Sequence, residues 1–305
     1  MRATSKTSAI GTSPVAAAQI GAARADRAST TRRRARSDSW RGLVISLLII
    51  GTWLVLTIAA VCAPWTQTVA WSALVPVVVA TLTFLATGLF IVAHDAMHGS
   101  VAPAWPRVNH AIGSLALGVY AFLPYRRFLR AHRAHHRDPV GPTDPDGHAP
   151  GTVHPVAWYL RFLRNYLSPV PFVVFAVLFN VCIHVLHIET WRLLTFWIAP
   201  LVLSTVQLFV FGTYLPHRPS VTRANDRHRA ASLAYPTWLS LITCYHFGYH
   251  WEHHAWPHVP WWRLPEARRI ASQTLDRERK ESAAHEVAPA HSASGASSAR
   301  YPSPN

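Results

Sequence analysis

The chain has 305 residues, half of them hydrophobic and only 14% charged, against roughly 25% charged in ordinary soluble domains. Its net charge of +15 does not mark a nucleic-acid binder, because the arginines cluster at 24–41 and 263–280, flanking apolar stretches, where basic residues set membrane orientation. Three cysteines, Cys62, Cys182 and Cys244, make no CxxC pair and no even-numbered framework. Disulfide scaffolding and a thiolate zinc site are therefore excluded, and any metal ligands must be nitrogen and oxygen.

In chain order, residues 1–38 are rich in Ala, Ser, Thr and Arg and read as a disordered basic arm. Four segments then reach the roughly 20 residues that a helix needs to cross a hydrocarbon core. They are Leu43–Ala63, Val69–Ala93, Val170–Ile188 and Trp191–Leu215. The apolar stretch Ala111–Leu123 is too short to span and reads as re-entrant or interfacial. Val156–Leu167, with Trp158 and Tyr159 beside Arg161 and Arg164, reads as an amphipathic interfacial helix. A polar tail from 273 to 305 is expected to be disordered. The expected fold is thus an all-α integral membrane domain over 39–272 with four transmembrane helices. The basic arm is expected on the cytoplasmic side, with both termini, and the expected membrane is a bacterial inner membrane.

Three histidine boxes sit at the edges of these spans: His94-Asp-Ala-Met-His98, His132-Arg-Ala-His135-His136 and His250-Trp-Glu-His253-His254. Residues three or four apart share a helix face, so each box aims two or three imidazoles at one point. Threading the spans from the arginine-rich start puts all three boxes on the cytoplasmic side. Eight imidazoles are too many for one ion and suit two, although imidazole content alone does not separate Fe, Zn, Cu and Ni.

Depth sorts the remaining histidines. His184 and His187 lie far along the third span, about 20 Å from its cytoplasmic start at 1.5 Å per residue, and are read as outer-interface residues. His217 follows the fourth span on the correct side and is a candidate ninth ligand. His246 precedes His250 by four residues, and can be a ligand, a donor behind the ligands or a structural histidine. His110, His148, His154, His228 and His258 lack box spacing, and His285 and His291 fall in the tail. Neutral ligands around two dications leave positive charge uncompensated, and metal-bound imidazoles usually donate their other N–H to a carboxylate or carbonyl. Asp95 and Glu252 inside boxes are expected to serve this way. Asp144 and Asp146, in Gly-Pro-Thr-Asp-Pro-Asp, either do the same or cap a turn.

With these motifs the chain resembles the integral-membrane fatty-acid desaturase and hydroxylase superfamily over residues 43–268. Within it the likeness is greatest to bacterial-type β-carotene ketolases. It is carried by His94-Asp-Ala-Met-His98-Gly99-Ser100, Phe209-Val-Phe-Gly-Thr-Tyr-Leu-Pro-His217-Arg218-Pro219, Leu241-Ile-Thr-Cys-Tyr-His246-Phe-Gly and Pro257-His258-Val259-Pro260-Trp261-Trp262-Arg263-Leu264-Pro265. The resemblance implies two non-haem irons held by His94, His98, His132, His135, His136, His250, His253 and His254, with His217 as the additional ligand after the last span. It also implies that Thr213 stands where some acyl desaturases place an Asn that reaches iron through water.

The implied reaction is O2-dependent oxidation of the C4 methylene of a β-ionone ring to a ketone, the carotenoid being drawn from the bilayer into a channel between spans 69–93 and 191–215. No Gly-x-Gly-x-x-Gly occurs, so a ferredoxin-type donor and a separate reductase are implied. Two other readings share parts of this pattern. A fatty-acyl or sphingolipid desaturase or hydroxylase has the same metal site with a different channel. A metal transporter would need polar residues laddered through the spans, where this chain keeps its boxes at the membrane edge.

Overall fold

A computed structural model describes residues 14–65, 69–149, 151, 153–222 and 226–287. Among them every regular element is helical. In order these are α1 Pro14–Cys62, α2 Val69–Met97, α3 Pro106–Ala121, α4 Tyr125–Arg137, α5 Pro155–Tyr166 and α6 Pro169–His184. They continue with α7 Thr190–His217, α8 Thr237–Cys244, α9 His250–Ala255 and α10 Leu264–Val287. Three of them are long and apolar enough to cross a membrane: α1 from Ser29, α2 from Ala73, and α7. A fourth crossing is added if α5 and α6, bent by 85° at their junction, form one broken span. The chain is an integral membrane protein.

Helix α2 is apolar on all sides, the pattern of a helix at the centre of a bundle. It buries Leu82, Ala86, Leu89, Ile91, Val92, Ala93 and Ala96 against α1, α3 and the middle of α7. Close approach of α3 depends on Gly113, where a Cβ would lie 2.6 Å from that of Ala96 and 2.5 Å from the Tyr125 ring. Polar groups shared by α2, α3 and α7 satisfy one another, as a lipid environment favours. Thr87 of α2 donates to Ser204 (3.0 Å) or Gln207 (2.6 Å) of α7, and Tyr120 of α3 meets Ser204 at 3.2 Å. At the far end, Arg192 donates to the carbonyl of Ala63 (2.7 Å) just past α1.

The structure departs from the expected boundaries in three places. Residues 14–38, expected to be irregular, continue α1, because Ala and Arg are strong helix formers and the apolar span below supplies the nucleus; residues 1–13 lie outside the described residues. Likewise α10 runs on to Val287, and 288–305 lie outside. The third apolar segment stops as a helix at His184, four residues short of Ile188. Its start at Pro169 is fixed by proline at the first helical position, which also forces the bend from α5. Helix α6 buries only Pro171 and exposes Val170, Phe172, Val173, Val177 and Val181, so its surface is one that lipid must cover.

The arginine-rich start of α1 shares an end of the bundle with the first histidine box. Ser39 accepts from the amide of Ala104 (2.9 Å), and Asp38 pairs with Arg263 (3.7 Å). Helix α3 lies beside this end without crossing, and α5 turns its Trp158 and Tyr166 inward while Val156 and Leu160 face out.

Candidate metal centre

Four elements deliver the box histidines. His94 comes from the last turn of α2 and His98 from the turn after it. His132, His135 and His136 lie on one face of α4; His250, His253 and His254 fill α9. His217 ends α7, whose last turns before it, Phe209–Tyr214, are π-helical, a feature frequent at functional sites. The nine imidazoles fall into two groups without overlap. His94, His98, His132, His136 and His253 form one; His135, His217, His250 and His254 form the other, each with ring nitrogens mutually within 4.8 Å.

Within each group the Nε2 atoms converge. In the first, His98 and His132 approach to 2.7 Å and His136 and His253 to 3.0 Å. In the second, His217 and His250 lie at 2.9 Å, His250 and His254 at 3.1 Å, and His135 and His254 at 3.2 Å. Two nitrogens at right angles, each about 2.1 Å from a shared ion, are about 3.0 Å apart, so these spacings match a coordination shell. His217 Nδ1 donates to the carbonyl of Arg229 (2.7 Å), which leaves its Nε2 a bare lone pair, and His135 Nδ1 donates to Asp144 (2.9 Å). His94 Nε2 is buried with no hydrogen-bond partner. Buried imidazole nitrogens that converge at this spacing could hold a cation.

Electrostatics act in the same direction. Burial, then repulsion from His135, Arg133 and His258, pushes His98 down to about 3. Burial and then His98 and His135 push His136 to about 2. Burial foremost, with neighbouring imidazoles behind it, also holds His132, His250, His253 and His254 well below the ordinary value. These shifts favour the neutral ring, the form that binds metal. His135 is the exception: burial opposes its protonation, but Asp146 and Asp144 outweigh that and raise it.

The expected carboxylates separate in the structure. Asp144 both caps its turn and meets His135. It accepts from the amides of Val140 (2.6 Å) and Asp146 (2.9 Å) as well as from the ring. Asp146 lies 3.7 Å from the same ring nitrogen and accepts from the Tyr166 hydroxyl. Helix α5 fixes this loop: Trp158 donates to the Asp146 carbonyl (2.6 Å) and Asn165 to that of Pro145 (2.7 Å). Asp95 is only 3.5 Å from His94 Nδ1, while its other oxygen accepts from the amide of Trp261 at 2.9 Å; its firm bond ties box one to the segment before α10.

Glu252 touches no imidazole. It pairs with Arg268 (2.9 Å) and accepts from Ser232, because its place in α9 faces away from the side carrying His250, His253 and His254. His246 joins neither group. It follows Tyr245 in a turn where both residues have positive φ, 48° and 64°, so it is not on the helix that a spacing of four presumes. His246→Asn, which keeps a side chain tolerant of that backbone, is expected to leave the metal content unchanged; loss of metal in that variant, measured by elemental analysis, would make His246 a ligand. His184 and His187 are exposed and outside both groups.

A narrow cavity of about 50 Å³ ends on both groups, touching His94 and His132 of one and His135 and His250 of the other. Its remaining wall is Phe90, Met97, Phe128, Phe162, Leu208, Gly212 and Phe247, with Thr213, Asp146 and Tyr166 at the polar edge. Two of these aromatics stand one helical turn before a box histidine on the same helix: Phe90 before His94 on α2 and Phe128 before His132 on α4. The same-face rule that finds the ligands thus also finds part of the wall. Tyr166 and the Arg229 carbonyl carry no such signal.

The profile of the fatty acid desaturase family matches residues 69–181 and 171–282. A "Beta-carotene ketolase" of Paracoccus sp. (strain PC1) is 46% identical over 203 residues, 64% of this chain and 79% of that protein. One of Paracoccus sp. (strain N81106 / MBIC 01143) is 47% identical over 195 residues, 61% of this chain and 76% of that protein. A "Zeaxanthin 4-ketolase" of Chlamydomonas reinhardtii is 36% identical over 249 residues, 78% of this chain and 55% of that protein. With the family profile spanning both histidine-bearing halves, the chain belongs to the fatty acid desaturase family.

Proposed function

We propose that this protein is a carotenoid 4-ketolase, converting the C4 methylene of β-ionone rings to a ketone with O2 and two irons. The similarity to β-carotene ketolases supports the substrate class. The observation that carries the reaction is a cavity with four phenylalanines in its wall that ends on imidazoles of both groups. In this reading one iron is held by His94, His98, His132, His136 and His253, and the other by His135, His217, His250 and His254. Bound together, the irons supply reductive activation of O2 and removal of a hydrogen from the ring.

The protein supplies position and exclusion of water. The phenylalanines and Leu208 offer a flat ring only dispersion and burial, so the ring enters until its allylic carbon meets the polar end. Thr213 sets the polar boundary there. Asp144 holds the Nδ1 proton of His135 and the Arg229 carbonyl that of His217, which keeps each Nε2 directed inward. Each oxidation takes one O2, two electrons and two protons, places one oxygen on the ring carbon and releases the other as water. Two rounds at C4 give a geminal diol, and loss of water from it leaves the ketone.

The bent pair α5–α6 is read as one crossing, so four spans frame the site. The basic start of α1 lies at the metal end, which supports the reading of that end and both termini as cytoplasmic, in a bacterial inner membrane. The oxygenase domain is residues 39–272. Electrons come from a ferredoxin-type carrier served by a separate reductase. Expression in cells that accumulate β-carotene, followed by pigment mass analysis, tests the assignment. The expected product gains one oxygen and loses two hydrogens per modified ring. A gain of oxygen alone would mean hydroxylation, and unchanged pigment would return the acyl and sphingolipid desaturase readings.

A further inference from the structure

Helix α4 has two faces of opposite character. His132, His135 and His136 point into the metal centre with Tyr125 and Phe128 packed behind them. Arg126, Arg130, Arg133 and Arg137 are exposed. Their spacing of four, three and four places all of them within an arc of about 60° on the other side of the helix. None holds an ion pair among the described residues. The nearest acid in sequence, Asp138, is engaged by Arg229 at 3.3 Å, and Arg127 is turned aside to the carbonyl of Asn165 (2.9 Å).

Four unpaired like charges in one row destabilise a helix, a cost that an anionic partner would relieve. The face also lacks what a membrane-surface helix needs. No large apolar side chain on α4 is exposed, whereas α5 exposes Val156 and Leu160, and an interfacial helix binds through such residues. The row therefore faces water.

We infer that this arginine row is the docking surface for an acidic one-electron carrier protein. The inference rests on the proposed oxygenase function. A carrier seated there is separated from the metal groups by about one helix diameter, 10–12 Å. The helix that holds three ligands on its inner face would then receive the donor on its outer face. Complementary charge of this kind raises encounter rates and makes them salt-dependent.

The test uses the full chain in lipid nanodiscs and an acidic plant-type [2Fe–2S] ferredoxin as probe. Wild-type protein is expected to bind it with an affinity that falls steeply with salt. Arg126→Glu/Arg130→Glu, the two arginines farthest from the ligands, is expected to weaken binding by about tenfold or more and to flatten the salt dependence. Metal content and turnover at saturating ferredoxin should be kept. Should the double glutamate variant lose metal, Arg126→Gln/Arg130→Gln decides, with a smaller loss in the same direction. Arg164→Glu, an exposed charge on α5, should change nothing.

Unaltered ferredoxin affinity in the arginine variants would overturn the inference. So would a defect that follows the anionic lipid content of the nanodisc, which would make the row a headgroup site. Salt-dependent binding without ketone formation would instead sink the proposed function and leave the docking surface standing.

Discussion

Replacing His135 or His253 by alanine is expected to abolish ketone formation, each variant losing a different metal. The two residues belong to separate groups, His253 to the set of five and His135 to the set of four. Each Nε2 sits among others at coordination spacing: 3.0 Å from His136 for His253, and 3.2 Å from His254 for His135. Removing a ligand subtracts a bond to the ion and opens the shell to water. The loss should exceed the roughly 10- to 100-fold seen when only the partners of ligands are changed. Product formation in cells and iron per purified chain are the two readouts, and a fall from two irons towards one is expected in both variants. His184→Ala is the matched control. It removes an exposed imidazole at the end of α6 and should leave both readouts near wild type. A loss there as large as in the box variants would refute the exclusion of His184 from the site.

Asp144→Ala is expected to lower activity and the affinity for one of the two irons by about 10- to 100-fold, through His135 alone. The carboxylate receives the His135 Nδ1 proton at 2.9 Å and holds its own loop through the amides of Val140 and Asp146. Without it the imidazole is free to take the other tautomer, in which Nε2 carries hydrogen and does not bind metal. Asp146→Ala should cost less, since its oxygen lies 3.7 Å from the ring nitrogen. Titrating iron back into metal-depleted protein separates the cases. One weakened site of two supports the account, whereas two equally weakened sites would mean that Asp144 acts on the fold as a whole.

The sequence made the clustered histidines legible because their chemistry repeats at helical spacing and their spans end on one side. All nine imidazoles assigned on that basis meet in two groups, including His217, which lies in no box. Pairing across the groups was not readable: His135 and His136 are adjacent yet belong to different shells, since neighbouring residues on α4 point about 100° apart. His246 shows the limit of the spacing rule. Four residues before His250 means a shared face only if a helix joins them, and the left-handed turn at Tyr245 and His246 breaks it. Glu252 fails for the complementary reason: it is in the right helix on the wrong face.

The expected spans largely reappear as helices, but the bend between α5 and α6 comes from prolines whose effect on direction depends on tertiary packing. The substrate wall is half legible. Phe90 and Phe128 follow from the histidines they accompany on α2 and α4, whereas Phe247 lies in the turn before α9 and Phe162 and Tyr166 are brought in by α5, which no motif connects to the boxes.

The central claim is that these two groups bind two metals that work as one oxygenase centre. Iron per chain in wild-type protein, purified in detergent and dialysed against metal-free buffer, tests this most directly. Two retained irons are expected. A single retained iron, or ions that exchange in proportion to the concentration supplied, as a transport pathway would show, would contradict it.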